Sequence, residues 1–295
     1  MTQEANLPEL DAARIEPLVR LAISEDIGPG DLTSRSVLPE GARAKGVYVA
    51  GDRGIVAGLP LVPMILGQVD PSLTFEPLVG DGAGVDRGTE LAEVGGSAIS
   101  ILSAERITLN FLQRLSGVAT LTAKYVEKVR GTSAKILDTR KTMPGWRYLE
   151  KYAVRAGGGT NHRMGLFDQV LIKDNHLELS GRRAVTDAVK SARANCPPGT
   201  VVEVEAESID QVAEALAAGA DIIMLDTMSI DQMTEAVAMI RSGSGDAPII
   251  EASGNVSLDT VAAIAQTGVD WISVGSLTHS AMALDISLTV TPAPT

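Results

Sequence analysis

VVEVEAESIDQVAEALAAGADIIMLDTMSIDQMTEAVAMIRSG, residues 201–243, alternates two short apolar runs with two helix-like stretches, and that alternation decides the fold class. The runs VVEVEAE (201–207) and DIIMLDT (221–227) have the length and Ile/Val content of buried strands. SIDQVAEALAAGA (208–220) and SIDQMTEAVAMIRSG (229–243) open on the same four residues, a Ser-x-x-Gln capping box that makes Ser208 and Ser229 the expected N-caps. Working outward, the same kind of run recurs as KILDT (135–139), QVLIKD (169–174), PIIEAS (248–253) and WISVGS (271–276). Ser257 begins a further helix, SLDTVAAIAQTG, and Gly219 and Gly268 stand where such helices stop. Successive β-α units of this kind predict parallel strands closing toward an α/β barrel.

The first hundred residues differ in texture. EDIGPGDLTS, RGIVAGLP and GDGAGVDRGTELAEVGG are turn-rich pieces around short apolar strands, which predicts a smaller α+β domain. SAERITLNFLQRLSGVATLTAKYVEKV (103–129) has helical spacing and reads as the link between domains, with Ser103 as its N-cap. Arg106 then falls in the first turn, where a cation opposes the helix dipole. It is either a solvated arginine or one placed there for function.

Composition narrows the function classes. Hydrophobic residues make up 45% of the 295 but aromatics only 3%, so the core is aliphatic, as suits helices packed on parallel strands. A net charge of −12 and so few aromatics argue against a nucleic-acid partner. One cysteine, Cys196, excludes an internal disulfide or a cysteine-rich zinc site, which fits a cytoplasmic protein. No run approaches the roughly 18 apolar residues that span a bilayer, so no membrane is expected.

Charge is not spread evenly. Residues 138–176, DTRKTMPGWRYLEKYAVRAGGGTNHRMGLFDQVLIKDNH, hold seven Lys/Arg against four acids, with two of the three histidines. Such a segment suits a compact polyanion. In parallel barrels chemistry gathers at the C-terminal strand ends. Here these supply Thr139, Arg140 and Lys141, then Lys173 and Asp174, then Glu205, Asp226, Ser253 with Gly254, and Gly275 with Ser276. Arg140 and Arg163 are natural bidentate clamps for carboxylate or phosphate. Lys141 and Lys173 can neutralise phosphates, or one can form a Schiff base if burial suppresses its charge. His162 is an anion donor or a structural histidine, and Gly157–Gly159 are either a plain loop or a site of close backbone approach. Glu203 and Glu205 share one strand face; pointing inward, they require cationic partners, and on an exposed strand they require none. Ser253–Asn255 and Gly275–Ser276 are strand-turn-helix positions of the kind that bind phosphate, while Glu205 and Asp226 suit Mg²⁺ or ribose hydroxyls.

DTRKTMPGWR, GGGTNHRMGLFD, LIKDNH, ASGN and VGSLTHS, in this order, look like quinolinate phosphoribosyltransferase, and the likeness runs from EDIGPGDLT to LTHS. The resemblance implies an N-terminal open α/β sandwich domain (1–115, joined by the tail 277–295) and an incomplete α/β, TIM-like barrel (116–276). It implies a cytoplasmic homodimer with shared active sites, each completed by a neighbour's Arg106. It also implies Mg²⁺ and the substrates quinolinate and phosphoribosyl pyrophosphate, joined with decarboxylation in NAD biosynthesis. By the same likeness Arg106, Thr139, Arg140, Lys141, His162, Arg163 and Lys173 surround the anions, and Lys141, Lys173, Glu205 and Asp226 are catalytic. Glu205 and Asp226 hold ribose and magnesium, while Ser253, Gly254, Asn255, Gly275 and Ser276, with Val274, bind the 5′-phosphate end. The alternatives are a related phosphoribosyltransferase-like protein acting on another base, a Schiff-base barrel aldolase, and a non-catalytic phosphometabolite sensor.

Overall fold

A computed structural model describes residues 7–181, 184–243 and 247–293. They form two compact units, the first from the described residues of Met1–Ala123, Met143–Gly158 and Ser280–Thr295, the second from those of Lys124–Thr142 and Gly159–His279. Residues 1–6 and 294–295, at the ends of the expected first domain, lie outside the described residues.

Along the chain come helices α1 (Ala12–Asp26) and α2 (Leu32–Val37), strands β1 (Arg43–Ala50) and β2 (Gly54–Ile55), helix α3 (Leu61–Val69), strands β3 (Thr74–Pro77), β4 (Gly84–Val85) and β5 (Glu90–Ser97), and helix α4 (Ala98–Lys128). β6 (Lys135–Leu137) and α5 (Arg147–Ala156) follow, then β7 (Val170–Ile172), α6 (Asp174–Leu179), α7 (Val185–Asn195), β8 (Val202–Ala206), α8 (Ile209–Ala217), β9 (Ile222–Asp226), α9 (Ile230–Arg241), β10 (Ile249–Ser253), α10 (Val261–Gln266), β11 (Trp271–Ser273), α11 (Ser276–His279) and β12 (Ile286–Pro292). None of the described helices is long and apolar enough to cross a membrane.

The first unit is built on an antiparallel sheet of order β12-β1-β5-β3. β1 alternates exposed and buried positions from Arg43 onward, so Ala44, Tyr48 and Ala50 enter a core shared with Val62 and Leu66 of α3 and Ile101 and Leu112 of α4. β12 closes this sheet antiparallel to β1, with Leu288 opposite Tyr48.

Two expectations about this unit change. α4 starts at Ala98, so Ser103 is inside the helix, where its hydroxyl donates to Asp31 at 3.1 Å, rather than capping it. Arg106 therefore sits in the third turn, exposed, and the argument from the helix dipole lapses. The stretch 143–158, expected inside the barrel, belongs to the first unit because its buried side chains are matched there. Glu150 accepts from Arg114 Nη2 at 2.5 Å, Trp146 stacks on Phe111 with ring centroids 4.7 Å apart, and the Tyr152 hydroxyl donates to Asp81 at 2.8 Å. The glycine run serves this packing. A Cβ at Gly157 would collide with the Ala119 carbonyl of α4, and Gly158 turns the chain at φ +85°. The close approach at Gly157 is to helix α4.

The second unit is the parallel sheet expected from the sequence, with strands in the order β6-β11-β10-β9-β8-β7. All six apolar runs are strands. Among the described residues no ladder joins β6 to β7, which leaves an incomplete barrel. Ser229 forms the full capping box with Gln232, whereas Ser208 caps Gln211 while the Gln211 side chain accepts from the Glu207 amide instead. The expected cap at Ser257 moves on: Ser257 organises the preceding turn, and α10 is entered at Thr260.

Candidate active site

Side chains alternate across a strand, so one face of the parallel sheet collects residues two apart. Leu171 and Lys173, Glu203 and Glu205, Met224 and Asp226, and Glu251 and Ser253 all obey this spacing. The register aligns them: Glu205 lies opposite Met224, and Ser253 opposite Asp226. A cavity of about 450 Å³ opens at this end of the sheet and gathers Thr139, Arg140, Lys141, His162, Arg163, Lys173, Glu205, Asp226 and Ser253. Leu171, Met224, Glu251 and Ser273 complete its lining.

One wall is cationic. Thr139 Oγ1 accepts the Lys141 amide at 3.0 Å, and the Thr278 hydroxyl donates to the Lys141 carbonyl at 2.8 Å, which pins the 139–141 turn. A Cβ at Gly275 would stand 3.0 Å from the Lys141 side chain, so Gly275 leaves that lysine its path. The Arg163 guanidinium donates to the Gln169 carbonyl at 3.0 Å. Burial and the neighbouring Arg140 charge both lower the Arg163 pKa, the mark of two crowded cations that an anion would relieve.

Acidic side chains line the same cavity. Lys173 contacts Glu205 directly, and Glu205, Glu207 and Asp226 place one carboxylate oxygen each within 4.8 Å of the others. Oxygen donors so grouped fit a hard cation. Below them lies a second cluster. Glu203 and Glu251 are wholly buried, with His162 Nε2 between them at 3.2 and 3.3 Å, ion-pair distances without hydrogen-bond alignment. The inward placement of Glu203 and Glu205 thus comes with the cationic or protic partners it requires. Burial lowers the imidazole pKa, but Glu203 and Glu251 outweigh it and raise it to about 10, and Nδ1 accepts the Arg163 amide at 2.7 Å. Burial and the Glu251 charge push Glu203 up to about 7.

Gly254 and Asn255 line a neighbouring cavity of about 350 Å³ with Thr227 and Ser229. Thr227 and Asn255 are the two non-glycine residues with positive φ among those described, at 56° and 51°. A β-branched residue in that region is strained, and such strain concentrates at functional turns. Val274, Gly275 and Ser276 line neither cavity; Val274 donates its amide to the Leu137 carbonyl at 2.9 Å, and the Ser276 hydroxyl meets Tyr125 at 3.2 Å. Arg106 belongs to the first unit and is not among the residues brought together here.

Sequence reasoning passed over Glu251, Ser273, Gln169 and Thr227. The first two had a readable signal, since Glu251 stands two residues before Ser253 and Ser273 two before Gly275, on the face already assigned to chemistry.

Known proteins resemble this chain over nearly its whole length. The family model described as quinolinate phosphoribosyl transferase, N-terminal domain, matches residues 31–116, and that of the C-terminal domain matches residues 118–289. A probable nicotinate-nucleotide pyrophosphorylase [carboxylating] of Synechocystis is 42% identical, over 94% of this chain and 92% of that protein. The nicotinate-nucleotide pyrophosphorylase [carboxylating] of Mycobacterium leprae is also 42% identical, over 95% and 98%. The crystal structure of NadC from Streptococcus pyogenes superposes with a TM-score of 0.92 at 40% identity, covering 97% of this chain and all of that one. On two family models and relatives of this identity and coverage, the chain belongs to the quinolinate phosphoribosyltransferase family of pentosyltransferases.

Proposed function

We propose that this chain transfers the phosphoribosyl group of 5-phosphoribosyl 1-pyrophosphate to quinolinate with loss of CO₂, giving nicotinate mononucleotide for NAD biosynthesis. The observation that carries this reading is a single cavity that gathers Arg140, Lys141, Arg163 and Lys173 together with Glu205 and Asp226. The cationic side chains suit a dicarboxylate, and the carboxylates suit a polyol with its metal.

Charge dictates the order of bond changes. The C1–oxygen bond to pyrophosphate breaks, its electron pair leaves with pyrophosphate, and the quinolinate nitrogen bonds to C1. Lys141 and Lys173 offset the charge left behind. Arg140 and Arg163 hold the two ring carboxylates so that the nitrogen faces C1, which is a positioning task. The bond from C2 to its carboxylate then breaks; the quaternised ring nitrogen stabilises the pair left on C2, CO₂ departs, and a proton from solvent takes its place. The protein supplies no electron sink. Mg²⁺, when held through Glu205 and Asp226 with Glu207 beside them, adds neutralisation of the pyrophosphate oxygens.

The protein acts in this reading as a cytoplasmic homodimer, with the partner subunit's Arg106 completing each site. A Schiff-base aldolase is disfavoured by the contact of Lys173 with Glu205, since such chemistry needs an uncharged amine in an apolar pocket. Removing one bidentate arginine should cost about 2–4 kcal/mol, roughly 30- to 1000-fold in rate. The deciding assay is release of labelled CO₂ from 2-carboxyl-labelled quinolinate, dependent on phosphoribosyl pyrophosphate. No release would overturn the assignment, and release with Arg163→Ala at the wild-type rate would overturn the role of Arg163.

A further inference from the structure

Buried acids are expensive, and Glu203 and Glu251 are both wholly buried beside one histidine. Each buried ion costs several kcal/mol before its partners offset it. Apolar side chains of similar volume would fill the same space more cheaply. What the two carboxylates do to their neighbours explains their presence better than what they add to the core.

Their contacts converge on Arg163. Glu203 Oε2 accepts the Gln169 side-chain amide at 2.5 Å, and the backbone carbonyl of the same Gln169 accepts from the Arg163 guanidinium at 3.0 Å. Glu251 Oε1 accepts the Ser273 hydroxyl at 2.5 Å, which turns Oε2 toward His162. The imidazole between the two acids presents Nδ1 to the Arg163 backbone amide at 2.7 Å. Asp138 holds the same segment from the other side, accepting the His162 amide at 3.0 Å and the Asn161 side chain at 2.5 Å. Nδ1 is thus held in a hydrogen bond, and Nε2 faces the two acids at ion-pair distance. His162 thereby carries a fixed geometry from β8 and β10 to the Arg163 backbone.

We propose that Glu203 and Glu251 are positioning residues for quinolinate recognition: with His162 and Gln169 they clamp Arg163 at its backbone amide and its guanidinium, so that the fork meets the substrate carboxylate without reorganising. This deepens the reading of Arg163 as a quinolinate anchor and rests on it. A fork left loose by about 1 Å loses up to about 100-fold in such a task.

Steady-state kinetics of Glu203→Met, Glu251→Met, Glu203→Gln and Glu251→Gln, with melting temperatures, test it. In the Met variants KM for quinolinate should rise about 10- to 100-fold, with KM for phosphoribosyl pyrophosphate within about twofold. The Gln variants keep an acceptor oxygen and should recover most of the quinolinate affinity; they decide the matter should a Met variant fail to fold. Unchanged quinolinate KM overturns the inference. So does a fall in melting temperature with both KM values rising together, which is the signature of a structural role alone. Arg163→Ala is run alongside: if it leaves quinolinate KM unchanged, the reading of Arg163 itself falls, an outcome distinct from wild-type behaviour in the glutamate variants alone.

Discussion

Gly254→Ala is a one-carbon change whose effect can be worked from geometry. Gly254 has φ +89°, and an added Cβ would collide with the Thr227 hydroxyl while standing 2.8 Å from the Thr227 nitrogen and 3.0 Å from its Cα. The hydroxyl can rotate away, but backbone cannot. Thr227 is itself strained at φ 56°, and its amide donates to the Ser253 carbonyl at 2.9 Å, joining the ends of β9 and β10. Relief must therefore move the 253–255 turn or break that bond. The left-handed conformation costs an alanine about 1–2 kcal/mol, and displacement of a strained turn adds about 1–3 kcal/mol. Together these make about 2–5 kcal/mol, equivalent to roughly 30- to 5000-fold in affinity. If this turn cradles the 5′-phosphate, KM for phosphoribosyl pyrophosphate rises by that factor while KM for quinolinate, gripped from 139–141 and 162–173, stays within about twofold. Gly199→Ala is the control, with φ +84° but nothing within 4 Å of the added carbon. Wild-type KM for phosphoribosyl pyrophosphate in a folded Gly254→Ala enzyme would refute the reasoning, and so would an equal effect from Gly199→Ala.

Three further outcomes follow from other parts of the molecule. Arg114→Ala strands the wholly buried Glu150, which also accepts the Met143 amide at 3.1 Å, and should cost about 3–5 kcal/mol in urea unfolding. Arg114→Met with Glu150→Met should cost less than that single change; equal losses would show that the pair's charge is irrelevant. Burial raises the Asp221 pKa, but the hydrogen bonds from Arg193 and the Val202 amide outweigh it and lower it below 3.8. A depressed carboxylate adds stability that is present above its unfolded pKa and lost as pH falls through the folded one. Asp221→Asn should therefore weaken the protein at pH 7 and match wild type at pH 2, and unfolding curves that stay parallel at both pH values contradict this. Finally, Arg106→Ala and Lys141→Ala subunits, each inactive alone, should regain partial activity when refolded together. Verified mixed dimers that stay inactive would argue against cross-subunit sites.

The rim of the cavity was legible in the sequence because its residues break local rules. Lys173, Glu205 and Asp226 are charges at the ends of apolar runs, and a charge there demands a partner or a ligand. The strands were legible for the related reason that Ile/Val runs between capped helices have few other uses. Legibility failed where the deciding contact is remote. The stretch 143–158 looks like barrel sequence until Glu150 meets Arg114, 36 residues away, and Tyr152 meets Asp81, 71 residues away. AISIL before Ser103 carries no helix signal of its own, so the start of α4 was misplaced by a turn and more, and with it the apparent oddity of Arg106. Glu251 is the sharpest case. Its period-two spacing from Ser253 put it on the functional face, but a lone acid in PIIEAS has no meaning until His162 and Glu203 stand beside it. A charge at a strand end can be read from one segment, whereas a buried clamp requires three, and the sequence offers those three 41 and 48 residues apart.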